Sequence, residues 1–152
     1  MPVNPDAVGT VLTPISMDLE RGRLAAFARA TGATDPVYSD LDAARAAGHR
    51  DIPVPPTFLF AIELEQADPF AWAREIGIDF RYVLHGEQRF DYHRLAHAGE
   101  RLTATATITD VYQKRAGALE FVVKKTAVID EGGGPVADLT SVIVVRNPGV
   151  GS

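Results

Sequence analysis

One short stretch of the sequence gathers side chains that can move protons. The segment from Phe27 to Asp40 ends a helical pattern and runs into a polar loop that contains Asp35 and Tyr38. A carboxylate near a hydroxyl can act on a substrate as a general acid or base. The same residue types also form tight turns, because an Asp side chain accepts hydrogen bonds from nearby backbone N–H groups. The stretch is therefore either a candidate site or a simple turn.

Histidines are the other groups that titrate near neutral pH. His49 follows a glycine in a loop and could approach a substrate. His85 and His93 fall on the polar side of one predicted strand, where residues eight apart are separated by ~26 Å and cannot share a metal ion. The chain contains no cysteine, which removes thiolate metal sites and disulfides. The sequence predicts neither a metal site nor a redox cofactor.

Helical patterns occupy the first half of the sequence and would position these groups. The first helix is predicted to begin at an Asp18 cap and to end at Gly32. Its apolar stripe has helical spacing and consists of Leu24, Phe27, Ala28 and Thr31. A short helical turn is predicted from Asp42 to Gly48. The loop with Asp35, Tyr38 and Asp40 would connect these two helices, with Asp40 as a cap.

A more apolar helix is predicted next, within Val54–Leu64. It is apolar on all sides from Phe58 to Ile62, which predicts burial over most of its circumference. Another short helix is predicted after it, with Asp68 as its N-cap and Pro69 at its first position. The apolar contacts of that helix would be Trp72 and Ile76, and Gly77 would end it.

Strand patterns dominate the second half. The predicted strands are Phe80–Arg94, Leu102–Ile108, Leu119–Ile129 and Leu139–Val145, with a turn at Gly132–Pro135. In the first strand the even positions are apolar, including Leu84, Phe90 and Tyr92, whereas the odd positions are polar. In the second, four threonines alternate with apolar residues, as in a half-buried strand.

A buried helix followed by long antiparallel strands predicts an α+β fold in which the sheet wraps around the helix. Two architectures compete: the hot-dog fold, with one central helix, and a cone-shaped sheet with several helices at its mouth. The order of the elements favours the hot-dog fold. Its sheet has an open edge, and pairing with a second copy or another chain would cover that edge, so a dimer is expected.

Composition sets the outer limits on function. A chain of 152 residues is predicted to form a single domain, residues 1–147, followed by a disordered tail, residues 148–152. The net charge of −5 argues against nucleic-acid binding. No apolar run reaches the ~20 residues that span a bilayer, and the N-terminus lacks the pattern of a signal peptide. A cytoplasmic protein with no membrane association is expected.

The loop resembles a known motif. The stretch Gly32-Ala-Thr-Asp-Pro-Val-Tyr-Ser-Asp40 is similar to the loop of MaoC-like (R)-specific enoyl-thioester hydratases, which reads Gly-Asp-x-Asn-Pro-Leu/Val-His-x-Asp. Ala44–Gly48 and Pro55-Pro56-Thr57-Phe58 fill the next places in that family's pattern. The later stretches Leu84–Leu95 and Ala98–Leu102 resemble the N-terminal, FAS1-like dehydratase branch, which includes HadA/HadC-type subunits. The resemblance covers nearly the whole chain and implies the hot-dog fold.

The resemblance implies a subunit of a (3R)-hydroxyacyl-thioester dehydratase or 2-enoyl-thioester hydratase of fatty-acid metabolism. In that family the loop's Asp and His move the protons, but Ala33 and Tyr38 occupy those positions here. This chain would then be the non-catalytic half that lines the substrate channel, and a second hot-dog subunit would carry the intact pair. The substrate would be an acyl thioester of coenzyme A or acyl carrier protein. The candidate substrate-binding residues are Asp35, Tyr38, Asp40, His49, Pro55, Pro56, Thr57 and Phe58.

Two alternatives stay open at the level of sequence. The chain could be a homodimeric protein that binds acyl thioesters without turning them over. It could instead be a self-sufficient hydratase whose acid/base pair was rebuilt from Asp35, Tyr38, His49 or the strand histidines. Tyrosine, with an ordinary pKa of ~10, is a poor base at neutral pH, which weighs against the rebuilt pair.

Overall fold

A five-stranded antiparallel sheet, with short helices against it, makes up the computed structural model, which describes residues 3–150. The strands are β1 (Ile15–Asp18), β2 (Val83–Tyr92), β3 (Arg101–Lys114), β4 (Leu119–Asp130) and β5 (Pro135–Arg146). The α-helices are α1 (Arg21–Ala30), α2 (Leu41–Ala46) and α3 (Ala71–Glu75). The 3₁₀ helices are Pro5–Ala7, Pro36–Tyr38, Phe58–Leu64 and Phe80–Tyr82.

The order of the strands across the sheet is β1-β3-β4-β5-β2. The three longest strands are therefore central, and each pairs antiparallel with its neighbour. The two edges differ, because β1 has four residues and β2 has ten. An edge of ten residues leaves a row of backbone groups available to a further strand.

One face of the sheet is buried, as the alternation in the sequence predicts. In β3 the buried side chains are Leu102, Ala104, Ala106 and Ile108, and the threonines between them are half-buried or exposed. In β4 every second side chain from Glu120 to Val128 is buried. This face packs against the central 3₁₀ helix Phe58–Leu64 and against α1, which together enclose the main core. The smaller core lies around α3.

The first edge strand and the start of α1 differ from the prediction. Asp18 was expected to cap α1, but it is the last residue of β1 and its carboxylate pairs with Arg101 at 2.8 Å. The helix begins at Arg21, after Glu20, whose side chain makes no capping hydrogen bond. The strand was missed because four residues are too few for a clear alternation.

The central helix is buried, as expected, but it is a 3₁₀ helix of seven residues that begins at Phe58. The predicted segment began at Val54. Pro55 and Pro56 lack backbone N–H groups and disfavour helical conformation in the residue before them, so the segment stays extended until Thr57. Leu59 and Ile62 are fully buried.

The following helix also starts later than predicted. Asp68 and Pro69 precede α3, which begins at Ala71. The Asp68 carboxylate accepts a hydrogen bond from the Phe70 N–H at 3.2 Å, so it closes a turn before the helix. Gly77 follows the end of α3 with a φ of +89°, in the left-handed region that glycine favours.

A bulge in β2 changes which side chains face the core. The pairing of β2 with β5 shifts between His85 and Glu87, at Gly86. Simple alternation predicted Leu84 on the same face as Phe90, yet Leu84 is 55% exposed and His85, although exposed, is one of the residues that line a cavity with Phe60 and Val83. The extra residue of a bulge moves the side chains before it to the opposite face. The bulge places His85 on the same face as Val83 rather than with Glu87, but His85 stays exposed to solvent, as expected for the polar side of the strand.

Residues 148–150 form a turn, in which the Val150 N–H donates to the Asn147 carbonyl at 3.3 Å. The rest of the tail predicted to be disordered, residues 151 and 152, lies outside the described residues, as do residues 1 and 2. Within residues 3–150, the helices are all too short or too polar to cross a membrane.

Candidate functional site

Two aspartates give the loop after α1 its shape. Asp35 is exposed, and its carboxylate accepts a hydrogen bond from the Val37 N–H at 3.0 Å at the start of the 3₁₀ helix Pro36–Tyr38. The Asp40 carboxylate accepts hydrogen bonds from the N–H groups of Asp42 (2.8 Å) and Ala43 (3.1 Å) and so caps α2. Both carboxylates serve the local backbone in this structure, as Asp does in turns and helix caps.

Ala33 and Tyr38 flank Asp35 in this loop. Ala33 is exposed, and its N–H donates to the Ala28 carbonyl at 2.9 Å, which ties the loop to the end of α1. Gly32 precedes it with a φ of +74°, which suits the cap of a helix. Tyr38 is half-buried. An alanine methyl group cannot carry a proton, so Ala33 contributes only backbone to this place.

Tyr92 joins the loop to the segment before the central helix. Its hydroxyl donates to the Pro56 carbonyl at 2.7 Å. Burial, and then the nearness of Tyr38, raises the pKa of Tyr92 to about 12. The phenol therefore stays protonated and acts as a hydrogen-bond donor rather than as a base. Sequence reasoning treated Tyr92 only as an apolar strand residue, since alternation carries no information about its hydroxyl.

The Pro55–Phe58 segment is divided between core and surface. Pro55 and Phe58 are buried, whereas Pro56 and Thr57 are exposed beside Tyr92. The Phe58 ring packs edge-on against Phe27 of α1, with 5.3 Å between the ring centroids. Of the candidate residues, the structure joins Pro56 to Tyr92 of β2 and places Phe58 in the core.

The histidines are in three different places. His49 Nδ1 lies 3.2 Å from His97 Nε2, next to the Arg94–Glu100 ion pair. Burial lowers the pKa of His97, and the neighbouring Arg50 and His49 lower it further. His93 follows the end of β2, and its Nε2 lies 2.7 Å from an oxygen of Asp138.

His85 is exposed, and its ring packs against Phe60 with 5.5 Å between the centroids. The contact places an imidazole on the wall of an interior cavity. A second group of polar residues, which includes Glu63 and Lys124, lines the same cavity beneath the central 3₁₀ helix.

A buried ion pair joins Glu63 and Lys124, each 6% exposed. Glu63 also accepts a hydrogen bond from the Thr126 hydroxyl, and the Lys124 ammonium lies 4.9 Å from the centre of the Trp72 ring. Sequence reasoning missed this pair. The available signals were one charged residue inside the apolar segment Phe58–Leu64 and one lysine at an inward position of β4.

Two cavities adjoin this ion pair. The first cavity, of about 240 Å³, lies between the Thr10–Ile15 segment, α3 and the sheet. The second cavity, of about 110 Å³, lies on the side of β2 and β5. Glu63, Trp72 and Lys124 line both cavities. The interior can therefore hold a small apolar group next to a charge.

Comparison with known proteins decides the family. The model of the FAS1-like dehydratase domain region matches residues 6–139. The chain belongs to this FAS1-like dehydratase family. A UPF0336 protein from Leifsonia xyli subsp. xyli is 43% identical over 152 residues, which covers 96% of this chain and 97% of the relative. A UPF0336 protein from Clavibacter michiganensis subsp. michiganensis is 42% identical over 147 residues, with the same coverage.

Solved structures agree with this assignment to the FAS1-like dehydratases. The C-terminally truncated HadBC (3R-hydroxyacyl-ACP dehydratase) complex from Mycobacterium tuberculosis matches with a TM-score of 0.77 and 25% identity, covering 91% of this chain and 97% of that one. A MaoC-like dehydratase matches with a TM-score of 0.81 and 21% identity, covering 93% and 43%. The predicted α+β hot-dog fold and the predicted MaoC-like family are confirmed, and together they support a dehydratase-like function.

Proposed function

We propose that this chain is the substrate-channel half of a (3R)-hydroxyacyl-thioester dehydratase, which in reverse hydrates a 2-enoyl thioester. The observation that carries the proposal concerns the loop after α1. Asp35 and Asp40 make their capping hydrogen bonds, but Ala33 and Tyr38 occupy the positions at which the family has its proton carriers. Adding or removing water needs a group that holds a proton at the reacting carbon. A second chain would supply that group.

The long free edge of β2 supports a partner subunit. Ten residues of backbone are open to a further strand on that edge. Exposed apolar side chains lie at its beginning, since Phe80 is 40% exposed, Leu84 is 55% exposed, and Phe70 packs against Phe80 with ring centroids 5.2 Å apart. Similarity to a subunit of the HadBC complex favours a hot-dog chain as the partner. Such an interface would cover these side chains.

The thioester would enter between the two halves. In this proposal the carrier is coenzyme A or acyl carrier protein, its arm passes the exposed residues Pro56 and Thr57, and the acyl chain runs beneath the central 3₁₀ helix. The chemistry is proton transfer at carbon, so the proposal requires no metal and no redox cofactor. Cytoplasmic fatty-acid metabolism is the setting that fits such a reaction.

The geometry disfavours a self-sufficient hydratase. Asp35 is engaged by the Val37 N–H, and His49 contacts His97 on the Ala96–Glu100 side of the fold. Tyr38 lies beside Tyr92, a phenol that is protonated at neutral pH because its own pKa is about 12. A base rebuilt from these residues would first have to leave its present contacts.

The test follows the loss of the conjugated enoyl thioester when the purified chain is mixed with crotonyl-coenzyme A. We expect the wild type, Asp35→Ala, Tyr38→Phe and the exposed control Thr34→Ala to share the uncatalysed rate. If the wild type and the control are active and both Asp35→Ala and Tyr38→Phe are inactive, the proposal is wrong. It is also wrong if acyl thioesters bind but no chain with an intact Asp/His loop brings turnover, since that result describes a binding protein.

A further inference from the structure

The interior ion pair lies where a ligand chain would have to pass. Glu63 and Lys124 line both cavities, and Trp72 lies against the ammonium on the same boundary. A molecule that fills either cavity therefore contacts a charged pair that is almost completely shielded from solvent. The charged groups of Glu63 and Lys124 therefore determine which of the ligands that fit the apolar walls can bind.

The walls themselves favour an aliphatic or aromatic body. Aromatic and aliphatic side chains line much of the second cavity, and these are Phe60, Leu64, Phe70, Phe80, Val83 and Ile143. Its mouth lies beside Phe70 and Phe80, the exposed pair on the proposed partner face. A chain that entered from the partner side would thus meet apolar surface first and the ion pair afterwards.

Hydrogen-bond donors remain available at this depth. The Lys124 ammonium has three N–H groups, one of which goes to Glu63. The Ser141 hydroxyl lines the second cavity and donates to the Gln88 side-chain oxygen at 2.6 Å. The Gln88 amide nitrogen is buried and has no partner within residues 3–150, but Gln88 is not among the residues that line the cavities. The remaining N–H groups of the Lys124 ammonium favour an oxygen acceptor on the ligand.

Three ligand types can be compared against these groups. A plain alkyl chain would remove water from Lys124 and give back no hydrogen bond, which is unfavourable for a buried polar group. A carboxylate would attract Lys124 but would place a second negative charge next to Glu63. A hydroxyl or a carbonyl oxygen can accept from Lys124 without repelling Glu63, and a hydroxyl can also donate to Glu63.

We propose that the two cavities bind an aliphatic chain that carries a hydroxyl or carbonyl oxygen at the depth of Lys124. This proposal rests on the proposed function in one respect: the aliphatic chain in the cavities is taken to be the acyl group of the thioester substrate. The substrate class then becomes an oxygenated acyl thioester rather than one with a plain alkyl tail. The oxygen on the tail is additional to the one that the dehydratase reaction removes or adds.

The test uses small free ligands, so it needs neither a thioester nor a partner. Trp72 is the only tryptophan in the chain and lines both cavities, which makes its indole signal in NMR or fluorescence a direct reporter. The purified wild type is titrated with 1-hexanol and with hexane. We expect 1-hexanol to bind more tightly by about tenfold or more, whereas a purely apolar cavity would favour hexane.

A double variant and a matched control assign the preference to the ion pair. In Glu63→Leu/Lys124→Met the order should reverse, so that hexane binds more tightly than 1-hexanol. Lys125→Met is the control, since Lys125 is the exposed neighbour on the other face of β4 and its loss should leave the preference unchanged. The wild-type ratio decides the matter by itself if the double variant does not fold.

Several results would overturn the inference. It is wrong if hexane binds to the wild type as tightly as 1-hexanol, if neither ligand changes the Trp72 signal, or if Lys125→Met shifts the preference as much as the double variant. These outcomes are separate from the fate of the proposed function. Absence of enoyl turnover by the complex with a chain that carries an intact Asp/His loop would overturn the dehydratase proposal while leaving the hexanol result intact.

Discussion

Asp35 and Asp40 hold the loop with hydrogen bonds from the backbone N–H groups that follow each of them. Such caps contribute about 0.5–2 kcal/mol each, enough to keep a short loop in one conformation. Ala33 and Tyr38 lie in that same loop without a group that takes up a proton at neutral pH. At the scale of the residue, the loop is held by two aspartate caps and contains Ala33 and Tyr38, and we propose that it is a hydratase scaffold without its acid/base pair.

If the scaffold is intact, restoring the pair should restore chemistry. We predict that Ala33→Asp/Tyr38→His hydrates crotonyl-coenzyme A measurably faster than the wild type, because a carboxylate and an imidazole would then occupy the family's positions. The isosteric control Ala33→Asn/Tyr38→Phe should stay at the uncatalysed rate. Equal rates for the two double variants would show that the loop does not present these positions to a substrate.

The buried ion pair makes a prediction about stability. Removing one partner, in Lys124→Met, should lower the free energy of unfolding by roughly 3–5 kcal/mol, because Glu63 is left buried and charged without its counter-ion. Replacing both, in Glu63→Leu/Lys124→Met, should cost much less or nothing. Urea denaturation measures both. A double variant less stable than the single one would show that the pair itself stabilises the fold.

At the scale of the element, the bulge at Gly86 sets the face of β2. A side chain there would collide with β5, since an added Cβ would lie 2.8 Å from a Val144 methyl and 3.2 Å from the Val142 carbonyl oxygen. Glycine at this position permits the close approach that shifts the register. The bulge is therefore what turns His85 toward the second cavity and leaves Leu84 on the exposed surface.

Adding a methyl group at two glycines tests this explanation. Gly86→Ala should destabilise the protein by roughly 1–3 kcal/mol, as overpacking does. Gly22→Ala should stabilise it by roughly 0.5–1 kcal/mol, because Gly22 lies in α1 and a Cβ there would meet nothing within 4 Å. Thermal or urea unfolding compares the two. A neutral Gly86→Ala would mean that the strands can separate to accept the side chain.

Some strands of the sheet could be predicted from the sequence, whereas the register of β2 could not. β3, β4 and β5 contain the predicted strands, because alternation in β3 and β4 and a continuous apolar run in β5 both report burial. β3 runs on to Lys114, and β5 begins at Pro135, inside the predicted turn. The register shift at Gly86 depends on contacts with β5, which are distant in sequence, and could not be read from β2 alone. The same holds for Glu63 and Lys124, which are 61 residues apart and meet only through the folding of the sheet.

The candidate site shows the same limit. The loop motif predicted the family correctly, because a motif is local, and the match of Ala33 and Tyr38 to the proton-carrier positions stays a prediction. The contact of the Tyr92 hydroxyl with the Pro56 carbonyl spans 36 residues and is invisible to periodicity. The assignment of Asp35, Tyr38, His49 and Thr57 to substrate binding stays a prediction.

At the scale of the whole molecule, Arg94 ties distant parts of the chain together. It pairs with Glu100 at 2.7 Å and with Asp130 at 2.8 Å. Burial acts to raise the pKa of Glu100, but hydrogen bonds from Arg94, the His97 N–H and Arg50 outweigh it, so the pKa lies below its usual value. The hydrogen bond from Arg94, aided by the Gly134 and Gly132 N–H groups, likewise lowers the pKa of Asp130.

These lowered pKa values give stability a pH dependence of known sign. The unfolded chain takes up protons at higher pH than the folded one, so the stabilisation is present above the ordinary values of 4.5 and 3.8 and is lost as the pH falls. We predict that the urea midpoint of the wild type decreases from about pH 6 to about pH 3. Arg94→Met should start lower at pH 6 and lose less over the same range; an unchanged pH profile would contradict this explanation.

The exposed β2 edge and a loop without an Asp/His pair both support our proposal that the molecule works with a partner. The most direct measurement is the rate of crotonyl-coenzyme A hydration by the purified chain alone and by its purified complex with a hot-dog chain that carries an intact Asp/His loop. We predict the uncatalysed rate for the chain alone and rapid turnover for the complex. Turnover by the chain alone at the rate of the complex would contradict the proposal that a partner supplies the acid/base pair.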